Sequence, residues 1–279
     1  MVDKGTLYIC ATPIGNLEDI TLRVLNTLRQ VDLIAAEDTR HSRKLLRHYG
    51  ISVPLISYHQ HNEKSRSQEL IAKLKEGLAL ALITDAGMPG ISDPGSELIR
   101  CCYQENIAVD VLPGPSAVLT ALVLSGMADG NFAFQGFLPA NTGECRRKLQ
   151  EYCELPLTQI FYEAPHRLLA TLQVMAEVFG DRPAAVVREI TKLNQSVYRG
   201  TLSELIRQFE IMNPRGECCI ITSPYTALLK TGGPGEWARE VQEALVQGLS
   251  RQEALKEVAG RYGVSKREVY NALLRKPKD

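Results

Sequence analysis

Several short segments of this 279-residue chain set charged, hydroxyl-bearing and glycine residues directly after apolar runs. Residues 11–21 (ATPIGNLEDIT) form a Pro/Gly/Asn loop after which Asp19 or Thr21 would cap a helix. Residues 37–43 (EDTRHSR) follow a second apolar run, and residues 84–95 (TDAGMPGISDPG) follow a third. The small residues of the latter let a ligand approach the backbone closely. Its Asp85 and Asp93 can pair with a cation or accept hydrogen bonds from hydroxyls. Residues 113–117 (PGPSA) end a strand and open a helix, so their amides point at whatever lies there. Residues 162–167 (YEAPHR) and 187–192 (VREITK) again place charges after apolar strands. Loops of this kind, converging on one edge of a sheet, predict a ligand cleft.

Other chemistries lack their residues. There is no GxGxxG fingerprint and no P-loop. The 7 cysteines include no CxxC pair, so neither a zinc ribbon nor a thioredoxin motif is expected. Cys10, Cys218 and Cys219 sit in apolar runs and read as small buried hydrophobes. His41, His48 and His166 have no nucleophile beside them. His59 and His61 would share one face of a strand, but only Glu63 could complete a ligand set, so they read as a surface or substrate-facing pair and no metal is expected. The formal net charge is +0, so any nucleic-acid contact must come from a local patch. No apolar run is long enough to span a membrane, and the N-terminal residues lack the pattern of a signal peptide. With this cysteine usage, a reducing, cytoplasmic setting is expected.

The elements that must position these loops alternate. Strands are expected near residues 7–10, 33–36, 78–83 and 109–112, with helices near 21–30, 43–48, 63–76 and 95–104 between them. That order predicts a mainly parallel sheet covered on both faces. After a small-residue helix at 116–125, strands are expected at 132–136, 159–162, 184–189, 197–199 and 218–222, two of them in direct succession, so this half should be mixed. Helices are expected at 168–179 and 202–211. A Gly/Pro break at 230–235 precedes helices that open on the capping boxes Ser250–Glu253 and Ser265–Glu268, joined by Gly263 in the manner of a helix-turn-helix. The fold class is α/β, with domains at 1–113 and 114–228 and a helical segment at 234–279.

Read in order, ATPIGNLEDIT, AAEDTR, SYHQHNE, TDAGMPGISDPG, LPGPSA, FQGFLP, YEAPHRL and VVREITK resemble the motifs of the tetrapyrrole methylase superfamily of S-adenosylmethionine enzymes, in particular its ribosomal RNA small subunit methyltransferase I branch. The resemblance runs over about residues 5–225. It implies two α/β domains with the cofactor in the cleft between them, a homodimer, and 2′-O-methylation of a cytidine in 16S rRNA near the decoding centre of the small ribosomal subunit. Carried over residue by residue, it implies that Ile14, Asp85, Gly87, Ser116, Ala117, Arg188 and Glu189 meet S-adenosylmethionine. Asp38, Arg40, His59, His61, Arg146, Arg147, Lys266 and Arg267 would face RNA. At Gln195 the chain departs from the family pattern, and no base is assigned there.

Such a reaction is an in-line displacement, and a ribose hydroxyl is a poor acid. It calls for a base, or a cation that favours its alkoxide. Glu163, Lys192 and Glu37 are the candidates. The segment 250–278 adds local positive charge through Arg251, Lys256, Arg261, Lys266, Arg267, Arg275, Lys276 and Lys278, which suits phosphate. Two rivals stand beside this reading: a family member acting on a tetrapyrrole or other small molecule, and a DNA-binding regulator using the C-terminal helices. The EDTR and SYHQHNE segments favour RNA over the first. Against the second, a regulator has no use for polar loops at every strand end, so neither DNA nor a membrane is expected as a partner.

Overall fold

The structure, a computed structural model, describes residues 2–128, 130–212, 214–226 and 231–274. Arg275, Lys276 and Lys278 of the basic tail, and Lys230 of the Gly/Pro break, lie outside the described residues. Contacts divide the chain into two compact units. One holds residues 1–153 and 157–223, the other residues 154–156 and 224–279.

The first unit opens with β1 (Thr6–Cys10), a short 3-10 turn, α1 (Leu22–Leu28), β2 (Leu33–Ala36), α2 (Thr39–His48), β3 (Leu55–Ser57), α3 (Glu63–Lys75), β4 (Leu80–Ile83), α4 (Ser96–Gln104) and β5 (Ala108–Leu112). The strands make a sheet in the order β3-β2-β4-β1-β5, and every pairing in it is parallel. Alternate residues of β1 leave the sheet on opposite sides. Tyr8 and Cys10 join Val24, Leu28 and Leu46 of α1 and α2. Leu7 and Ile9 join Leu70, Leu74 and Leu98 of α3 and α4. Both faces are therefore covered, as an all-parallel sheet requires. Thr21 caps α1, its hydroxyl accepting from the Val24 amide at 3.2 Å.

The chain continues through α5 (Ala117–Ser125), β6 (Phe132–Phe137), α6 (Thr142–Tyr152), β7 (Thr158–Glu163), α7 (Leu168–Phe179), β8 (Pro183–Arg188), β9 (Ser196–Thr201), α8 (Leu202–Ile211) and β10 (Cys218–Thr222). This second sheet has the order β6-β7-β10-β8-β9. It is mixed: β6 runs parallel to β7, whereas β10 is antiparallel to both β7 and β8, and β9 to β8. Val118, Ala121 and Leu122 of α5 cover one face, against Ile160, Val187 and Ile221. The other face buries Phe161, Val186 and Ile220 against Leu149, Leu172, Met175 and Leu205 of α6, α7 and α8.

Two local expectations change. Helix α6 occupies residues in which no helix is expected from the apolar pattern. Its start is set by Asn141, whose side chain accepts from the Gly143 and Glu144 amides. His59 and His61 do not lie on a strand, because β3 stops at Ser57. The Asn62 side chain instead accepts from the His59 amide at 2.8 Å and folds the segment into a turn.

The second unit contains α9 (Pro234–Val246), α10 (Arg251–Tyr262) and α11 (Lys266–Leu274). Their shared core is Val241, Ala254, Val258, Tyr262 and Val269. Both expected capping boxes form, at Ser250–Glu253 and at Ser265–Glu268. Gly263 turns the chain at φ +63°, a conformation that costs glycine little. Buried Glu240 accepts from the Tyr262 hydroxyl at 2.7 Å and pairs with Arg261 at 3.1 Å.

Candidate active site

Because the first sheet is parallel, the loops after β1, β2 and β4 leave from the same edge, and the backbone stitches them together. Thr12 and Gly87 exchange backbone hydrogen bonds of 2.9 and 3.0 Å, and the Thr12 hydroxyl donates to the Thr84 carbonyl at 3.0 Å. The Asp85 amide donates to Glu37 and the Asp38 amide to Asp85, each at 3.4 Å. Ser116 caps α5, its hydroxyl accepting from the Leu119 amide at 3.4 Å.

The second sheet faces these loops with Glu163 at the end of β7 and residues 189–192 after β8. Glu189 and Thr191 adopt φ of +51° and +64°. Such backbone costs a non-glycine residue about 1–3 kcal/mol each and persists only where its surroundings fix it. Here the Gln195 side chain accepts from the Thr191 amide at 2.8 Å, Lys192 pairs with Glu189 at 2.9 Å, and the loop packs on Gly15. A Cβ at Gly15 would stand 2.7 Å from the Ile190 carbonyl oxygen.

A cavity of about 340 Å³ opens between the two sets of loops. Glu37, Asp85, Asp93, Glu163, Glu189 and Glu217 line it together with Lys192. Ile14, Met88, Ile91, Ala117, Val118, Phe137 and Ile190 supply apolar wall. Burial, and then Glu37, Asp85 and Glu217, push Asp93 up from 3.8 to about 6. Glu37 is also raised, mainly by burial. Burial holds Cys218 at about 11 and Cys219 at about 12, so neither thiol is a ready nucleophile. Crowded carboxylates beside apolar wall suit a ligand that carries positive charge on an otherwise flat, apolar body.

Of the residues singled out in the sequence, Ile14, Glu37, Asp85, Gly87, Ser116, Ala117, Glu163, Glu189 and Lys192 meet in this cavity. Arg188 is not in its lining; its guanidinium donates to the Arg215 carbonyl. Glu163 is 1% exposed, and its carboxylate is engaged by the Thr171 hydroxyl at 2.6 Å, the Ala164 amide at 2.9 Å and Arg167 at 3.3 Å. Asp38 caps α2, accepting from the Arg40 amide at 2.7 Å. Arg40 is exposed on α2, and the His59 and His61 rings lie 5.9 Å apart. Arg146 is paired with Glu177, whereas Arg147, Lys266 and Arg267 are exposed. Among the described residues no group of acidic, histidine or cysteine side chains has the arrangement to hold a metal ion.

Glu217 and Phe137 also line the cavity, and the sequence pattern singles out neither as a site residue. Glu217 precedes its strand, so a search of the residues that follow strands passes over it. Because β10 runs antiparallel to β7 and β8, its first residue pairs with Glu163 and Arg188 at their carboxyl ends. That pairing was the only available signal, and it is not local in sequence.

A model of the tetrapyrrole (corrin/porphyrin) methylases matches residues 6–206. The chain belongs to this family. Crystal structures of two proteins share the methylase fold. One is diphthine synthase, with a TM-score of 0.61 and 12% identity over 78% of this chain and 90% of that one. The other is uroporphyrin-III-C-methyltransferase from Thermus thermophilus, with a TM-score of 0.56 and 20% identity over 78% and 94%. Among curated relatives, the ribosomal RNA small subunit methyltransferase I of Synechocystis sp. is 44% identical, covering 97% of this methylase and 98% of the relative. The protein of the same name from Bacillus subtilis is 44% identical over 97% and 94%. That of Thermotoga maritima is 48% identical over 78% of this chain and 98% of its own. No helix among the described residues is long and apolar enough to cross a membrane.

Proposed function

We propose that the chain transfers a methyl group from S-adenosylmethionine to the ribose 2′-hydroxyl of a cytidine in 16S rRNA, near the decoding centre of the small ribosomal subunit. The observation that carries this reading is the carboxylate-crowded cavity at the joined strand ends. The near full-length similarity to proteins named for ribosomal RNA methylation supports the acceptor.

When bound, S-adenosylmethionine supplies an electrophilic methyl on a cationic sulfur. The cavity fits such a group: Asp85, Asp93 and Glu217 offer negative charge, and Ile14, Ala117, Val118 and Ile190 offer apolar wall for an adenosine. Gly87, with φ of +81° and only the Ile14 side chain beyond it, lets the ligand approach the backbone. Glu189, held over Gly216 and paired with Lys192, closes the far wall. Positioning of this kind lowers the barrier by holding reacting atoms in line.

For the acceptor hydroxyl, Lys192 and Glu37 are the groups best placed to favour loss of the proton, Lys192 by stabilising an alkoxide and Glu37 by accepting the proton. Glu163, engaged by three neighbours, is assigned to holding the end of β7 and the start of α7. Asp38, Arg40, His59 and His61 beside the loop after β2, with Arg147, Lys266 and Arg267, are assigned to RNA. Arg146, paired with Glu177, contributes there only if that pair opens. Exposed Leu119 and Val123 on one face of α5 support a homodimer, to be checked by sedimentation. The proposed substrate places the protein in the cytoplasm.

The test is to incubate the protein with methyl-labelled S-adenosylmethionine and small subunits lacking 2′-O-methylation, then digest the RNA and identify the labelled nucleoside. Label in 2′-O-methylcytidine is expected. Bound cofactor without label in RNA would move the assignment to a small-molecule acceptor.

A further inference from the structure

Helix α2 carries more positive charge than its folding or the cavity uses. Its sequence, TRHSRKLLRH, contains no acidic residue. Ser42, Leu45 and Leu46 are buried against the first sheet. The opposite side presents Arg40, Arg43, Lys44, Arg47 and His48, which together line a shallow groove of about 360 Å³. Their spacing puts them in one stripe, rising about 11 Å over two turns.

Elsewhere on the same unit, several exposed cations stand beside carboxylates, Arg23 with Asp110, Lys75 with Glu105, Arg100 with Glu97 and Lys148 with Glu151, and those that do not among the described residues, such as Lys4, Lys64 and Arg147, are not gathered into one stripe. On α2, Arg40 alone has such a partner, the helix's own cap Asp38 at 3.4 Å. No carboxylate lies within ion-pair distance of Arg43, Lys44 or Arg47 among the described residues. Arg47 and His48 complement the negative end of the helix dipole. Arg43 and Lys44 lie before the last turn and gain little from it. Like charges three and four residues apart repel, so the stripe works against the helix that bears it. In a chain of zero net charge, it concentrates positive potential at one place.

That place is defined by the fold. Glu37 lines the cavity, Asp38 caps α2, and the stripe begins at Arg40. The groove therefore begins three residues after Glu37 of the cavity lining, at the strand edge from which the cavity's loops leave. We propose that the α2 groove binds the phosphodiester backbone of the RNA strand adjoining the methylated nucleotide, over about three phosphates. This rests on the reading of RNA as the acceptor. Guanidinium and ammonium groups recognise phosphate without regard to base, so the groove sets the strand's position while the cavity selects the nucleotide.

The test measures binding of the full chain to a fluorescein-labelled oligocytidylate by anisotropy over a range of salt concentrations. One triple variant is Arg43→Gln/Lys44→Gln/Arg47→Gln. A control, Lys75→Gln/Arg100→Gln/Lys148→Gln, removes the same charge from paired sites. Each lost phosphate contact on a single strand lowers the slope of log K against log salt by about 0.7. The α2 variant should lose about 2 from that slope and bind at least tenfold more weakly at low salt, with the control close to wild type. Equal slopes in wild type and the α2 variant, or the same loss in the control, would overturn the proposal. Thermal melting confirms that both variants are folded. If wild type binds the oligonucleotide in the α2-dependent way yet methylates no RNA, the groove stands and the assigned reaction falls.

Discussion

Replacing Asp93 by Asn tests the electrostatics of the cavity without invoking any ligand. In the unfolded chain this carboxyl titrates near 3.8, and in the fold near 6, chiefly through burial and then through Glu37, Asp85 and Glu217. Well below pH 3.8 it is neutral in both states and costs nothing. Between 3.8 and 6 the unfolded chain has released the proton while the folded chain retains it, so stability falls as pH rises through this window. Above about pH 7 the whole penalty is present. A rise of this size corresponds to about 3 kcal/mol. Asp93 keeps part of its surface in water, and screening reduces the cost to on the order of 1 kcal/mol. Asn has nearly the same shape and no charge. Asp93→Asn should therefore melt about 2 °C above wild type at neutral pH, and the gain should vanish near pH 3.5. Thermal melts of both proteins across this range read the difference directly. A gain that does not depend on pH, or a variant less stable than wild type at pH 7.5, would refute the argument. The same repulsion is relieved by a cation, so S-adenosylmethionine should bind wild type more tightly as pH rises through 6, and Asp93→Asn should lose that dependence.

Other consequences follow from single contacts. Gly15→Ala puts a methyl 2.7 Å from the Ile190 carbonyl oxygen and from the Lys192 side chain. Overpacking of about 1–3 kcal/mol is expected, read as a lower melting temperature and weaker cofactor binding, and unchanged values for both would show that the loop yields freely. Glu163→Ala strips the Thr171 hydroxyl and Arg167 of their buried partner. A loss of about 2–4 kcal/mol is expected in chemical denaturation. A variant of full stability and no turnover would instead return Glu163 to the chemistry. Lys192→Met should lower turnover on RNA while cofactor affinity, measured by calorimetry, changes little. Full turnover would remove Lys192 from the reaction.

Much of this arrangement is legible in the sequence because it is local. An apolar strand followed by a polar, glycine-rich loop announces a strand and its functional edge, which is how the loops that carry Asp85, Asp93 and Ser116 stand out, while the roles of Gly87, Ser116 and Glu189 come from the family resemblance. Capping boxes at Ser250 and Ser265 are equally local. Features that depend on pairing between distant segments are not. Glu217 reaches the cavity only because β10 is antiparallel to its neighbours, and Arg146 meets Glu177 across two helices. The turn at His59 is held by Asn62 hydrogen bonds to the His59 amide and carbonyl and to the Ser57 carbonyl, which override the extended reading. Glu163 looks like a free carboxylate at a strand end until Thr171, eight residues later, is brought back to it by the first turn of α7.

The claim on which the account depends is that this cavity holds the methyl donor. Ala117 stands on its apolar wall at the start of α5, where a larger side chain projects into the space a ligand would fill. Calorimetric titration of S-adenosylmethionine into wild type and Ala117→Phe measures this directly. Saturable binding to wild type and at least a tenfold weaker constant for the variant, equivalent to about 1.4 kcal/mol, are predicted with no loss of melting temperature. Equal affinity for both proteins would mean that the donor binds elsewhere, and the assignment of the cavity would fall.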